Sequence, residues 1–233
     1  MTQPHGHEGG EWLDREQKYP RWKERIKRRI VTVSYAGIID AAIPDLSDQP
    51  PHTLLKTDLW ADSLGDPTVR LNGRFQIYGV DLSARVCKAA HQNGNRKGLA
   101  VARSDILHLP YADGTFSMIA DISTLDHIQP PNVPRVIGEY KRVLKPAGIL
   151  LLCVDQRLSL AWELYRKSLP YRAWSWLPSQ LRRLIEDSGL ETLESRYTNT
   201  PLDLISRRIR LRAPAQLLAP MAQYYTISAR KPK

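Results

Sequence analysis

Between Phe75 and Ile128 the chain contains two short apolar runs, each followed by an aspartate: FQIYGV before Asp81, and LAVA shortly before Asp105. An apolar run that ends in an acid and is followed at once by a helix-start residue, here Ser83, puts Asp81 at the carboxyl edge of a parallel strand. Open α/β sheets bind their ligands at that edge. The pair suits a nucleoside: the first acid accepts hydrogen bonds from both ribose hydroxyls, and the second accepts one from an adenine amino group.

The rest of the chain alternates in the same way. Thr53 to Leu59 is a first strand, with a short helix from about Ala61 and turn residues Gly65, Asp66 and Pro67. Phe75 to Val80 is the second strand, and Ser83 caps a helix carrying Val86, Cys87 and Ala90, broken at Asn93-Gly94. Leu99 to Ala102 and Phe116 to Ile122 are the third and fourth strands, the latter after a turn at Asp113-Gly114. Val133, Ile137, Tyr140 and Leu144 recur at helical spacing, and Lys145-Pro146-Ala147-Gly148 stops that helix before a fifth strand, Ile149 to Val154. Ser179 caps a last helix with Leu181, Leu184 and Ile185 on its apolar face, closed by Gly189. Strands Leu190 to Tyr197 and Gln223 to Ala229 follow. Such β-α-β alternation without repeats predicts a doubly wound α/β fold, a parallel sheet with helices on both faces.

Composition bounds the remaining classes. The 233 residues, 42% of them hydrophobic, suffice for one sizeable core. No apolar run is long enough to span a bilayer. The opening MTQPHGHEGG lacks the apolar segment of a signal peptide, so residues 1–18 are expected to form a mobile tail in a cytoplasmic protein. Cys87 and Cys153 read as small buried side chains, neither a disulfide nor a ligand pair, and no metal site is expected.

The net charge of +10 is concentrated near the N-terminus: Lys18 to Arg29 holds seven basic residues against Glu24. Trp22, Ile26, Ile30 and Val33 make this segment amphipathic, within a helical or lid region at 19–50. Its basic face is either solvated or drawn to an anionic membrane surface, nucleic acid or an acidic substrate.

Taken in order, GVDLS, SDILHLPYADGTFSMI, EYKRVLKPAGILLL, LRRLIEDSGLE and YYTISARKP resemble the class I S-adenosylmethionine-dependent methyltransferases of the small-molecule type. The resemblance covers residues from about Leu54 to the C-terminus and implies a methyltransferase domain over 51–233. It implies a mostly parallel seven-stranded sheet, with the last strand antiparallel and inserted beside the fifth. It also implies S-adenosylmethionine as cofactor, with Asp81 and the adjoining Leu82 at the ribose. Asp105 and the backbone around Ile106 would meet adenine, and Asp121 and its neighbours would line the methyl-transfer pocket.

One stretch departs from the family pattern. Where relatives follow the first strand with a glycine-rich loop, this chain has Lys56-Thr57-Asp58-Leu59-Trp60, and no glycine until Gly65. Without glycine the backbone neither turns as tightly nor approaches a ligand as closely. Asp58 either pairs with the ammonium of the cofactor's methionine or serves the fold. Lys56 holds the methionine carboxylate or pairs with Asp58.

For chemistry, the segment Asp121 to Ile128 after the fourth strand carries His127 with Asp126 beside it. The resemblance implies His127 as general base, and Asp126 is expected to orient it or raise its pKa; a helix-start role is the alternative. His108 is expected as a loop residue near the adenine. Trp162, Tyr165, Tyr171, Trp174 and Trp176 suggest a ring-bearing or apolar acceptor, or core packing. Arg207, Arg208, Arg210 and Arg212 either meet an anionic group or form a solvated loop. Three functional readings follow: a methyltransferase acting on a small molecule, most simply at oxygen of a sugar or secondary metabolite; a catalytically silent methyltransferase-like subunit; and an RNA- or membrane-associated methyltransferase.

Overall fold

In a computed structural model, the described residues are 38, 39, 42, 52–63, 74–94, 98–159, 174–198, 222 and 224–233. The basic segment at 18–29, the turn at 65–67, Trp162, Tyr165, Tyr171 and the arginines at 207–212 lie outside them.

Seven strands form one sheet. In chain order the elements are β1 (His52–Lys56), α1 (Trp60–Ser63), β2 (Phe75–Asp81), α2 (Ala84–Gly94), β3 (Leu99–Arg103) and β4 (Phe116–Ile122). They continue as α3 (Val133–Val143), β5 (Leu144–Asp155), α4 (Pro178–Asp187), β6 (Glu191–Thr198) and β7 (Tyr224–Arg230). The strand order is β3-β2-β1-β4-β5-β7-β6. β1 to β5 pair in parallel, and β7 inserts antiparallel between β5 and β6.

The interior strands are largely apolar, and β4 is buried along its whole length, because both faces of the sheet are covered. Successive side chains point to opposite faces, so Leu54, Met118, Ile149 and Leu151 pack with α2, while Leu55, Ile119, Leu150 and Leu152 pack with α3 and α4. Ile38, Ile39 and Ala42 join the first of these cores.

The structure differs from the sequence reading at three boundaries. β1 ends at Lys56, before Leu59, because the Leu59 N–H is held by the Asp81 side chain and not by a backbone carbonyl of a neighbouring strand. β5 starts at Leu144, not Ile149: the Lys145–Gly148 stretch is a bulge inside the strand, with Ala147 in the left-handed region at φ 61° and its N–H donated to Lys231 O at 2.9 Å. In α4, Pro178 takes the first helical position, so Leu177 rather than Ser179 occupies the N-cap, and Gln180 Oε1 accepts the Leu177 N–H at 3.2 Å. Ser83 does cap α2, its Oγ accepting from Val86 N–H at 3.3 Å. Gly189 closes α4 at φ 69°, a conformation that favours glycine.

Candidate active site

The strand order reverses between β1 and β4. From β1 the chain moves outward through β2 to β3, then returns across the sheet to place β4 on the other side. The loops that leave β1 and β4 therefore diverge, and open α/β sheets bind ligands in the crevice this creates at their carboxyl edge.

On the β1 side, Asp81 is half-buried at the end of β2. Its Oδ1 accepts the Ser83 N–H at 2.9 Å and its Oδ2 the Leu59 N–H at 3.2 Å. These two bonds fix the orientation of the carboxylate. Leu82 lies at the same edge, its carbonyl accepting from Arg103 Nε at 3.0 Å. Asp105, also half-buried, follows β3. Its Oδ1 accepts the Leu107 N–H at 2.9 Å, which folds the short turn presenting Ile106. The Ser104 N–H donates to Asp81 O at 3.1 Å and ties the two loops together. His108 is exposed, in contact with Arg135.

The glycine-free stretch is anchored at several points. The Lys56 ammonium pairs with Asp62 of α1, and both residues are almost fully buried. Only 2% of Lys56 is accessible. Thr57 is buried too, and its hydroxyl lies 3.1 Å from that of Thr124 in the β4 loop. Asp58 remains partly exposed. Its Oδ1 accepts the Trp60 N–H at 2.8 Å, which starts α1.

On the β4 side two carboxylates face inward. Asp121 has no accessible surface. Its carboxylate accepts from Thr124 N–H at 3.0 Å, Leu125 N–H at 3.2 Å and Tyr140 Oη–H at 2.7 Å. It thus supports the loop from beneath. Burial pushes its pKa up to about 6 despite the Tyr140 hydrogen bond, and the nearby Asp58 charge adds to the rise.

Asp126 is likewise fully buried, in a 3-10 turn spanning Leu125–His127. Consecutive side chains on such a turn diverge by about 120°. Its Oδ2 accepts the Asp155 N–H at 3.0 Å, and its carbonyl accepts the Trp174 N–H at 2.7 Å. It therefore fastens the turn to β5 and to the 174–176 segment and does not orient His127. Burial, then the Asp155 charge, hold its carboxyl well above the usual range. His127 is half-buried and is the last residue of that turn, its backbone N–H donating to Thr124 O at 3.0 Å. Ser123, at the mouth of the turn, adopts φ 61°.

Four contributors were not singled out from the sequence. Asp62 carries no signal, because a pair six residues apart has no helical or strand logic. Thr124 and Tyr140 become visible only when β1, β4 and α3 are packed. Asp155 does carry the same mark as Asp81, an apolar run ending in an acid. Cys87 and Cys153 are buried and free, as expected. Among the described residues no helix is long and apolar enough to cross a membrane.

Residues 64–152 match the family model described as a methyltransferase domain. This match, together with the fold, supports a class I S-adenosylmethionine-dependent methyltransferase domain. A demethylmenaquinone methyltransferase of Lactiplantibacillus plantarum is 29% identical over 153 residues, which cover 55% of this chain and 63% of that protein. The chain spans less than two thirds of the length of the curated relatives it first matches. In fold it is similar to an S-adenosylmethionine-dependent methyltransferase of Thermotoga maritima (TM-score 0.65, 17% identity, 95% of this chain and 99% of that one). It is also similar in fold to a Haloferax volcanii complex between the Trm112 methyltransferase activator and a methyltransferase (TM-score 0.67, 14% identity, 91% and 97%).

Proposed function

We propose that this methyltransferase transfers the methyl group of S-adenosylmethionine to a small molecule, at an oxygen of a sugar or secondary metabolite, in the cytoplasm. The observation that carries the reading is the row of partly exposed carboxylates Asp58, Asp81 and Asp105 along one carboxyl edge beside the strand reversal. The cofactor offers hydroxyls, an adenine amine and an ammonium, all donors, and the edge offers acceptors. The residues fit the group. When bound, S-adenosylmethionine supplies an electrophilic methyl on sulfur.

In this reading Asp81 accepts from the two ribose hydroxyls with Leu82 beside it. Asp105 and the Ile106 backbone meet the adenine, and Asp58 at the end of the Thr57 turn faces the ammonium. Asp121 and Asp126 hold the β4 loop from below. His127 takes the proton an acceptor hydroxyl gives up as its oxygen bonds to the methyl carbon and the carbon–sulfur bond breaks.

A second reading, a methyltransferase-like subunit that is silent alone, is favoured by the missing glycines and by the activator complex of the Haloferax relative in fold. RNA or membrane association rests on the basic segment at 18–29. Isothermal titration of the full chain with S-adenosylmethionine and S-adenosylhomocysteine separates these. Saturable binding supports the first reading, and no binding by the chain alone sinks it in favour of the second.

A further inference from the structure

We infer that the buried Lys56–Asp62 ion pair is a positioning device. It holds the Thr57–Leu59 backbone in place for the amino-acid end of the cofactor, the task a glycine-rich loop would otherwise perform. The inference rests on the cofactor reading above.

Lys56 is the last residue of β1, and Asp62 lies in α1 six residues on. Their pairing fixes both ends of the intervening turn. The helix it closes has only four residues, too few to be stable by itself, so contacts from outside decide whether the turn holds. Those contacts converge. Trp60 N–H donates to Asp58 at 2.8 Å, Leu59 N–H to Asp81 at 3.2 Å, and the Thr57 hydroxyl meets Thr124 at 3.1 Å. From the far side, Asn93 Nδ2 donates to Asp62 O at 3.2 Å and Ser63 O at 2.8 Å. The turn thus sets where Asp58 sits and how Asp81 is aimed.

Stability alone does not explain charges at this place. Both side chains are nearly inaccessible, and an apolar pair of similar volume holds a fold as well as a buried ion pair or better. An ion pair does supply one defined geometry, whereas packed apolar side chains have several. A chain that cannot use glycine to bend tightly needs that definition.

The test compares S-adenosylhomocysteine with methylthioadenosine, which shares the nucleoside and lacks the amino-acid tail, by titration calorimetry on the full chain. The neutral double variant Lys56→Met/Asp62→Leu is expected to keep its melting temperature. It should lose about tenfold or more in affinity for S-adenosylhomocysteine and less than about threefold for methylthioadenosine, since small misplacements of positioning groups have large effects. Asp62→Asn, which keeps the shape and removes one charge, should shift the ratio in the same direction and serves if the double variant does not fold. Equal losses for the two ligands, or no loss in a folded variant, overturn the inference and leave the cofactor reading standing. An Asp62→Asn chain that fails to fold assigns the pair to stability and also overturns it. If the unaltered chain binds neither ligand, the cofactor reading itself falls, and this inference with it.

Discussion

Leu59 is seated on Gly79. A Cβ added at Gly79 would overlap Leu59 Cδ2 and lie 3.1 Å from Cγ and 3.2 Å from Cδ1, and Leu59 has no accessible surface. The glycine absent from the loop after β1 thus has a counterpart on the neighbouring strand, where it makes room for the loop's leucine. Gly79→Ala should destabilise the fold by about 1–3 kcal/mol through overpacking. It should also weaken S-adenosylhomocysteine, because Leu59 carries the N–H that Asp81 holds. Adding Leu59→Ala to Gly79→Ala should recover part of the stability loss. Additive losses in denaturation would show that the two side chains are not in competition.

Asp81→Ala is expected to lower S-adenosylhomocysteine affinity by about two to four decades, since charge-assisted hydrogen bonds are each worth about 1.5–3 kcal/mol. Circular dichroism on the same sample checks that β2 and α2 remain folded. Unchanged affinity in a folded variant would remove Asp81 from the cofactor site.

The pKa of Asp121, raised by burial to about 6, gives stability a pH signature. An acid whose folded pKa lies above its unfolded value contributes stability that is fully present below the unfolded pKa, near 4, and lost as pH rises through about 6. Asp121→Asn cannot ionise and escapes that loss. The stability of the variant relative to the parent should therefore rise by up to about 3 kcal/mol between pH 4 and pH 7. Urea denaturation at both pH values measures the difference, and a constant difference would show that Asp121 does not titrate in this window.

The Asp126 carboxylate accepts from the Asp155 N–H, so Asp126→Asn should lower the melting temperature while leaving S-adenosylhomocysteine affinity nearly unchanged. A loss of affinity in a folded variant would place Asp126 in the cofactor site. His127→Gln should leave S-adenosylhomocysteine affinity nearly unchanged and lower methyl transfer by about 10²–10⁴ once an acceptor is in hand. Loss of cofactor affinity would instead mark His127 as part of the cofactor site.

The Asp58 carboxylate is the remaining site residue with a discriminating test. Asp58→Asn should weaken S-adenosylmethionine more than methylthioadenosine by about tenfold or more if it meets the ammonium. Equal losses, with a lowered melting temperature, would confine Asp58 to starting α1.

What the sequence determined by itself is what local pattern determines. Apolar runs of strand length, an acid or a capping residue at their ends, and helical periodicity in α3 gave the sheet and the edge where Asp81 and Asp105 stand, because these signals lie within a few residues of one another. The direction of each side chain was decided by tertiary packing. Asp121 and Asp126 have the residue type of site groups, yet the packing of α3 and β5 against the β4 loop turned both inward, onto Tyr140 and the Asp155 backbone. Lys56 likewise looks like a ligand-binding cation until α1 folds over it and presents Asp62. A carboxylate or ammonium that finds its partner across the fold is removed from solvent by contacts between residues distant in sequence, and no local pattern encodes that choice.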